Sequence, residues 1–89
     1  MEGNITKGDI LVEIKGYSMY IAHFYRVLRV TDKSVKLQEC KKRTIGGGDF
    51  NPQVVPDGTT LIGKVFTKRR TSYIGRLWDG NPITEDWLD

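Results

Sequence analysis

At 89 residues and 10.2 kDa, the chain has room for one domain, near the lower size at which a single core sustains folding without covalent staples. Fourteen Lys and Arg against eleven Asp and Glu leave a net charge of +3, and no apolar run approaches the length of a membrane span. This excludes a second domain, a transmembrane helix and, with Cys40 as the only cysteine, a disulfide framework. The opening MEGNITKGD has neither the basic nor the apolar region of a signal peptide, and a cytoplasmic protein is expected.

In chain order, Thr6-Lys7-Gly8-Asp9 reads as a turn, and Ile10 to Lys15 alternates cleanly. Ile10, Val12 and Ile14 are the expected core side, with Leu11, Glu13 and Lys15 on the other. Gly16 to Ala22 loses the alternation and crowds Tyr17, Met19, Tyr20 and Ile21 into a short connection. A β-hairpin follows from His23 to Arg43, turning at Thr31-Asp32-Lys33-Ser34. Its first strand is apolar on both faces, which implies burial of both or a bulge that changes phase. In its second strand Val35 and Leu37 point in and Cys40 falls on the outer parity.

Thr44 to Gly58 reads as the longest irregular stretch, with Gly46 to Gly48 a mobile connection and Asp57-Gly58 a turn. Thr59 to Thr67 returns to strand, with Leu61, Gly63 and Val65 facing in and Gly63 marking a bulge or bend. Lys68 to Ser72 is a basic turn, and Tyr73 to Trp78 a last short strand. In the tail, Thr84 to Leu88 has the composition of one helical turn capped by Thr84. Five short strands with regular turn signals predict an all-β fold: a small, partly open SH3-like barrel over residues 1–78, then an acidic, Trp-containing tail over 79–89. An OB-fold is the nearest alternative, but it would ask Gly46 to Gly48 to supply a helix.

Gly8-Asp9-Ile10, Gly16-Tyr17, Phe24-Tyr25-Arg26-Val27 and the closing Leu77-Trp78-Asp79-Gly80 together resemble a family of small bacteriophage and prophage proteins. Its members begin with a G-D-I strand, continue through W-G-Y and D-F-Y-Q-V, and close with L-W-D-G. Lys15 and His23 stand where that family has Trp and Asp. The resemblance implies a phage or mobile-element origin and no particular chemistry. Lys7 to Val12 is also similar to the opening of KOW-type barrels of transcription and ribosomal proteins.

Function is narrowed by elimination. One histidine, His23, and one cysteine, Cys40, make a poor nucleophilic site, and no enzyme is expected. The acids Asp79, Glu85, Asp86 and Asp89 read as a solvated tail rather than a metal site, and no cofactor or small-molecule substrate is inferred.

Charge distribution is more informative. Residues 23–43 hold seven bases and two acids, 64–76 five bases and no acid, and 77–89 four acids and no base. Arg26, Arg29, Lys36, Lys41, Lys42 and Arg43 on the hairpin, with Lys68, Arg69 and Arg70, are expected to form a basic stripe that contacts phosphates. Tyr17, Tyr20 and Tyr25 would be its stacking surfaces. The competing expectation is a protein-binding module using Tyr17, Met19, Tyr20, Ile21, Trp78 and Trp87, whose partner, on a phage origin, would be a host protein. The acidic tail would then either imitate nucleic acid or fold back to neutralise the basic stripe.

Overall fold

The computed structural model describes residues 5–16, 19–69 and 75–87. Among the described residues there are six antiparallel strands: β1 (Ile10–Lys15), β2 (Ile21–Val30), β3 (Ser34–Gly47), β4 (Pro52–Arg69), β5 (Arg76–Leu77) and β6 (Ile83–Thr84). They form one sheet in the order β5-β1-β2-β3-β4-β6, curled into an all-β, SH3-like, partly open barrel. No helix among the described residues is long and apolar enough to cross a membrane.

The first hairpin forms where the local chemistry asks for it. Thr31 N donates to Ser34 O at 2.9 Å and Ser34 N to Thr31 Oγ1 at 3.0 Å, a side-chain-supported turn. The phase change expected in the hairpin's first strand is a bulge between Val27 and Arg29.

The second hairpin corrects the reading of Thr44 to Gly58 as irregular. Strand β3 runs on to Gly47, and Pro52 to Asp57 pair with it from β4. Gly47, at φ +84°, and Gly48, whose amide donates to Asn51 Oδ1 at 3.1 Å, make the reversal. The glycines are therefore the tip of an ordered hairpin, because a tight reversal needs the left-handed backbone that glycine adopts at least cost.

Asp57-Gly58, expected as a turn between strands, is a kink inside β4. Lys41 pairs with Asp57 and Cys40 with Leu61, which leaves three β4 residues unmatched. The Asp57 carboxylate accepts from Thr59 N, Thr59 Oγ1 and Thr60 Oγ1. Those bonds hold it below the ordinary carboxylate range.

Gly63, at φ +74°, does mark a bulge: Gln38 faces three β4 residues and donates from Nε2 to Gly63 O at 2.9 Å. That irregularity turns Val65 to solvent and Phe66 inward, reversing the expected burial of Val65.

Two apolar clusters pack on opposite faces of the sheet. Leu11, Tyr25, Val27, Val35 and Leu37 make one with Ile5 and Phe66. Val12, Ala22, Phe24, Cys40 and Val54 make the other with Ile83 and Trp78. Leu11, expected on the outer side, is therefore as buried as Val12. The curl of β4 covers one face and the returning C-terminal segment covers the other, so neither parity of the central strands is left to water.

The tail is part of the sheet. Ile83 and Thr84 pair with Val54 and Gln53, and Asp86 bridges Tyr20. Over Thr84 to Trp87 the expected helical turn does not form, because pairing with β4 and the bridge to Tyr20 keep the backbone extended; Leu88 lies outside the described residues.

Gly75 sits at φ +108°, where an added Cβ would strike the carbonyl of Val12. Gly75→Ala is expected to cost about 1–3 kcal/mol, read as a lowered urea midpoint with an unchanged slope. An unchanged midpoint would show that the β5–β1 junction tolerates displacement.

Candidate functional site

Cross-strand register decides which cations can act together. On β2 and β3, Arg29 stands directly opposite Lys36, and Lys36 in turn faces Thr67 of β4. Arg69 pairs with Ser34. Arg29, Lys36 and Arg69 are all exposed. A shallow groove of about 280 Å3 opens here, lined by Arg29, Thr31, Ser34, Lys36 and Thr67, with two cations and no carboxylate on its walls. Asp32 lies in the turn beside it and Lys33 follows. Like charges directly opposite on neighbouring strands repel. The tip of the first hairpin is thus a site where an anion would relieve an unfavourable pair.

The remaining predicted phosphate contacts do not join this tip in one stripe. Lys41 and Arg43 are exposed but lie farther along β3, opposite Asp57 and Val55. Arg26 is half-buried, its Nη1 donating to Gly58 O at 2.7 Å, so its guanidinium holds the β4 kink. Lys42 points inward: its Nζ lies 2.6 Å from Glu85 Oε2 and donates to Ala22 O at 3.2 Å. Lys68 opposes Val35, one residue out of phase with Arg69, and lines a different groove. Arg70 and Tyr17 fall outside the described residues.

Tyr25 is only 7% exposed, and its ring packs edge-on against Phe66 at 5.6 Å, so it is core rather than a stacking platform. Burial raises the pKa of its hydroxyl. Tyr20 is half exposed but precedes β2, whose ten residues separate it from Arg29 by about 30 Å of strand.

The aromatic residues expected to bind protein split as well. Trp78 is half-buried against Phe24, with its Nε1 donating to Asn81 O at 2.7 Å. Ile21 is half-buried in β2. Met19, Tyr20 and Trp87 remain exposed, and Phe50, which sequence reasoning passed over, joins them. Backbone bonds bring these together: Tyr20 and Asp86 exchange hydrogen bonds, and Trp87 N donates to Phe50 O at 2.7 Å. Phe50 gave no signal because its neighbours Gly48, Asp49 and Asn51 read as loop.

The reading of Glu85 as part of a solvated acidic tail is corrected, because the tail's pairing with β4 carries it into the interior. Glu85 is fully buried, receiving Ala22 N at 2.9 Å and Lys42 Nζ on Oε2, and Trp87 Nε1 at 3.0 Å on Oε1. The carboxylate anchors the tail to β2 and β3. Of the two tail roles considered, it does fold back, but onto Lys42 rather than onto the exposed tip.

His23 and Cys40 do not form a pair. Cys40 opposes Phe24, which puts it on the face away from His23, and burial raises the pKa of its thiol. His23 Nδ1 lies 3.1 Å from Glu39 Oε2. Among the described residues, no three His, Cys, Asp or Glu side chains gather as a metal site would require.

No family model, curated protein or solved structure matches this chain. What it binds is therefore to be read from its own surface. Two regions stand out: the cationic hairpin tip, and the exposed Met19, Tyr20, Phe50 and Trp87 on adjoining backbone segments at the opposite end of β2.

Proposed function

We propose that this protein is a non-enzymatic binding module that holds a nucleic-acid backbone against the tip of its β2–β3 hairpin. Its resemblance to small phage and prophage proteins supports a site of action in a host cytoplasm. The observation that carries the reading is the Arg29–Lys36 pair, two exposed cations in direct opposition with Arg69 close by and no acid in their groove. A phosphate between them replaces a repulsion with two attractions, and the hydroxyls of Ser34 and Thr67 line the same groove. Among the described residues no ring lines the groove at the tip, and the reading is contact with the backbone, independent of sequence.

The test is fluorescence anisotropy of labelled single-stranded and duplex DNA and RNA across a range of salt. Three phosphate contacts predict that log affinity falls with log salt at a slope of about −2 to −3. Arg29→Ala combined with Lys36→Ala should reduce the slope by about two while leaving the thermal midpoint unchanged or higher. No binding at low salt would remove nucleic acid from the account.

A second reading rests on the other region. Tyr20 (51%), Phe50 (59%) and Trp87 (48%) expose ring surface on three segments held together by backbone hydrogen bonds, and aromatic anchors of this kind dominate protein interfaces. A host protein docking there is the alternative.

A further inference from the structure

Strand β4 is eighteen residues long, yet on the side away from β3 only Gln53 and Val54 pair with another strand among the described residues. From Val55 to Arg69 no strand among the described residues pairs with that edge. An open edge presents backbone amides and carbonyls that a further strand can take up, and folded proteins ordinarily shorten or cover such edges. Within it, Phe66 to Arg69 keeps regular register with Leu37 to Ser34, so this stretch is already extended as strand addition requires.

The edge is flanked by cations on both faces. On one lies a groove of about 420 Å3, floored by Tyr25 and Phe66 and rimmed by Lys15, Lys64 and Lys68. Its two carboxylates are engaged, Glu13 with Lys15 at 3.1 Å and Glu39 with His23 at 3.1 Å. Lys64 and Lys68 have no acidic partner among the described residues. On the other face Arg69 stands beside the Arg29–Lys36 pair.

Charge selects the occupant. A second copy would set Lys64, Lys68 and Arg69 against the same three cations, whereas an acidic segment would be attracted. The molecule also holds a precedent: its own acidic tail adds to this same edge farther along, with Glu85 N donating to Pro52 O at 2.8 Å. The geometry points to an acidic, extended peptide segment of a partner protein that adds as a strand to β4 at Phe66 to Arg69. On one face its apolar side chains enter the Tyr25–Phe66 groove beside carboxylates that meet Lys64 and Lys68, and on the other face a carboxylate meets Arg69. This site does not depend on the affinity of the hairpin tip for phosphate.

The probe is a labelled Glu-Glu-Val-Val-Glu-Glu-Val-Val octapeptide, which puts both residue types on each face of a strand, compared with Glu-Glu-Pro-Pro-Glu-Glu-Pro-Pro, of equal charge, whose prolines carry no amide hydrogen to donate. Only the valine-containing peptide is expected to saturate the protein, with slowed amide exchange and shifted NMR signals at Phe66 to Arg69. Lys64→Glu with Lys68→Glu should lower its affinity at least about tenfold, whereas Arg29→Ala with Lys36→Ala should change it less than about threefold. Equal binding of the two peptides would reduce the effect to charge alone and overturn strand addition. So would protection of the same amides in a dimer detected by sedimentation without peptide.

Discussion

Phe24→Ala is expected to cost about 3–5 kcal/mol, a large part of the 5–15 kcal/mol that holds a typical domain folded. Phe24 is fully buried at the middle of the central strand. Its ring meets that of Trp78 edge to face, with centroids 6.1 Å apart and planes at 78°. Val12, Ala22, Cys40, Val54 and Ile83 complete the surroundings. These groups come from β1, β2, β3, β4 and the C-terminal segment, so the cavity left by alanine would be walled by five elements that cannot all close on it. The aromatic pair adds about 0.5–1.5 kcal/mol beyond area burial. Urea denaturation with linear extrapolation measures the loss, and Phe24→Leu, which retains most of the volume, should recover much of it. A loss below about 1 kcal/mol would show that this cluster is not what holds the tail to the sheet.

Lys42→Met is expected to destabilise by about 3–5 kcal/mol, because it strands the buried Glu85 carboxylate without its ammonium partner. The double variant Lys42→Met with Glu85→Leu should be markedly more stable than either single change, since it removes both charges together. If the double variant were as unstable as the sum of the two, the pair would not be coupled.

The same pair sets an acid limit. Burial alone would raise the pKa of Glu85. The Lys42 ammonium, the Ala22 amide and the Trp87 indole outweigh that and hold the carboxyl below its ordinary value of 4.5. With the native pKa lowered, the unfolded chain takes up the proton first as pH falls. The contribution is therefore complete above the unfolded-state value and is lost as pH drops from about 4.5 through the native value. Burial is the largest single influence on Glu85, so in Lys42→Met, where only the Ala22 amide and the Trp87 indole oppose it, the native pKa is expected to rise above the unfolded one and the carboxylate to destabilise the fold at neutral pH. Stability of that variant should improve on mild acidification, where the parent protein loses it.

Much of the architecture was legible because its causes are local. The alternation of Ile10 to Lys15, the apolar runs either side of Thr31 to Ser34, and the bulge signalled by Gly63 each follow from side-chain periodicity or backbone freedom within a few residues. Thr44 to Gly58 was misread for the same reason. Its glycines and Asp57 do disturb the strand locally, but pairing of β3 with β4 on either side of each disturbance carries the sheet through it.

The candidate sites were less legible, since a charge acquires a role only from what stands across from it. Arg29, Lys36, Lys42 and Arg26 look alike in the chain. Register sets the first two against each other in solvent, a carboxylate 43 positions away takes the third, and a β4 carbonyl takes the fourth. Tyr25 became core and Phe50 surface because the curl of β4 covers one and the tail's pairing with β4 leaves the other uncovered. Residue type and spacing alone were enough for strands, turns and the basic balance of the chain. The two-sided core, the buried Glu85 and the open edge of β4 were decided by tertiary structure, because each depends on contacts between segments distant in sequence.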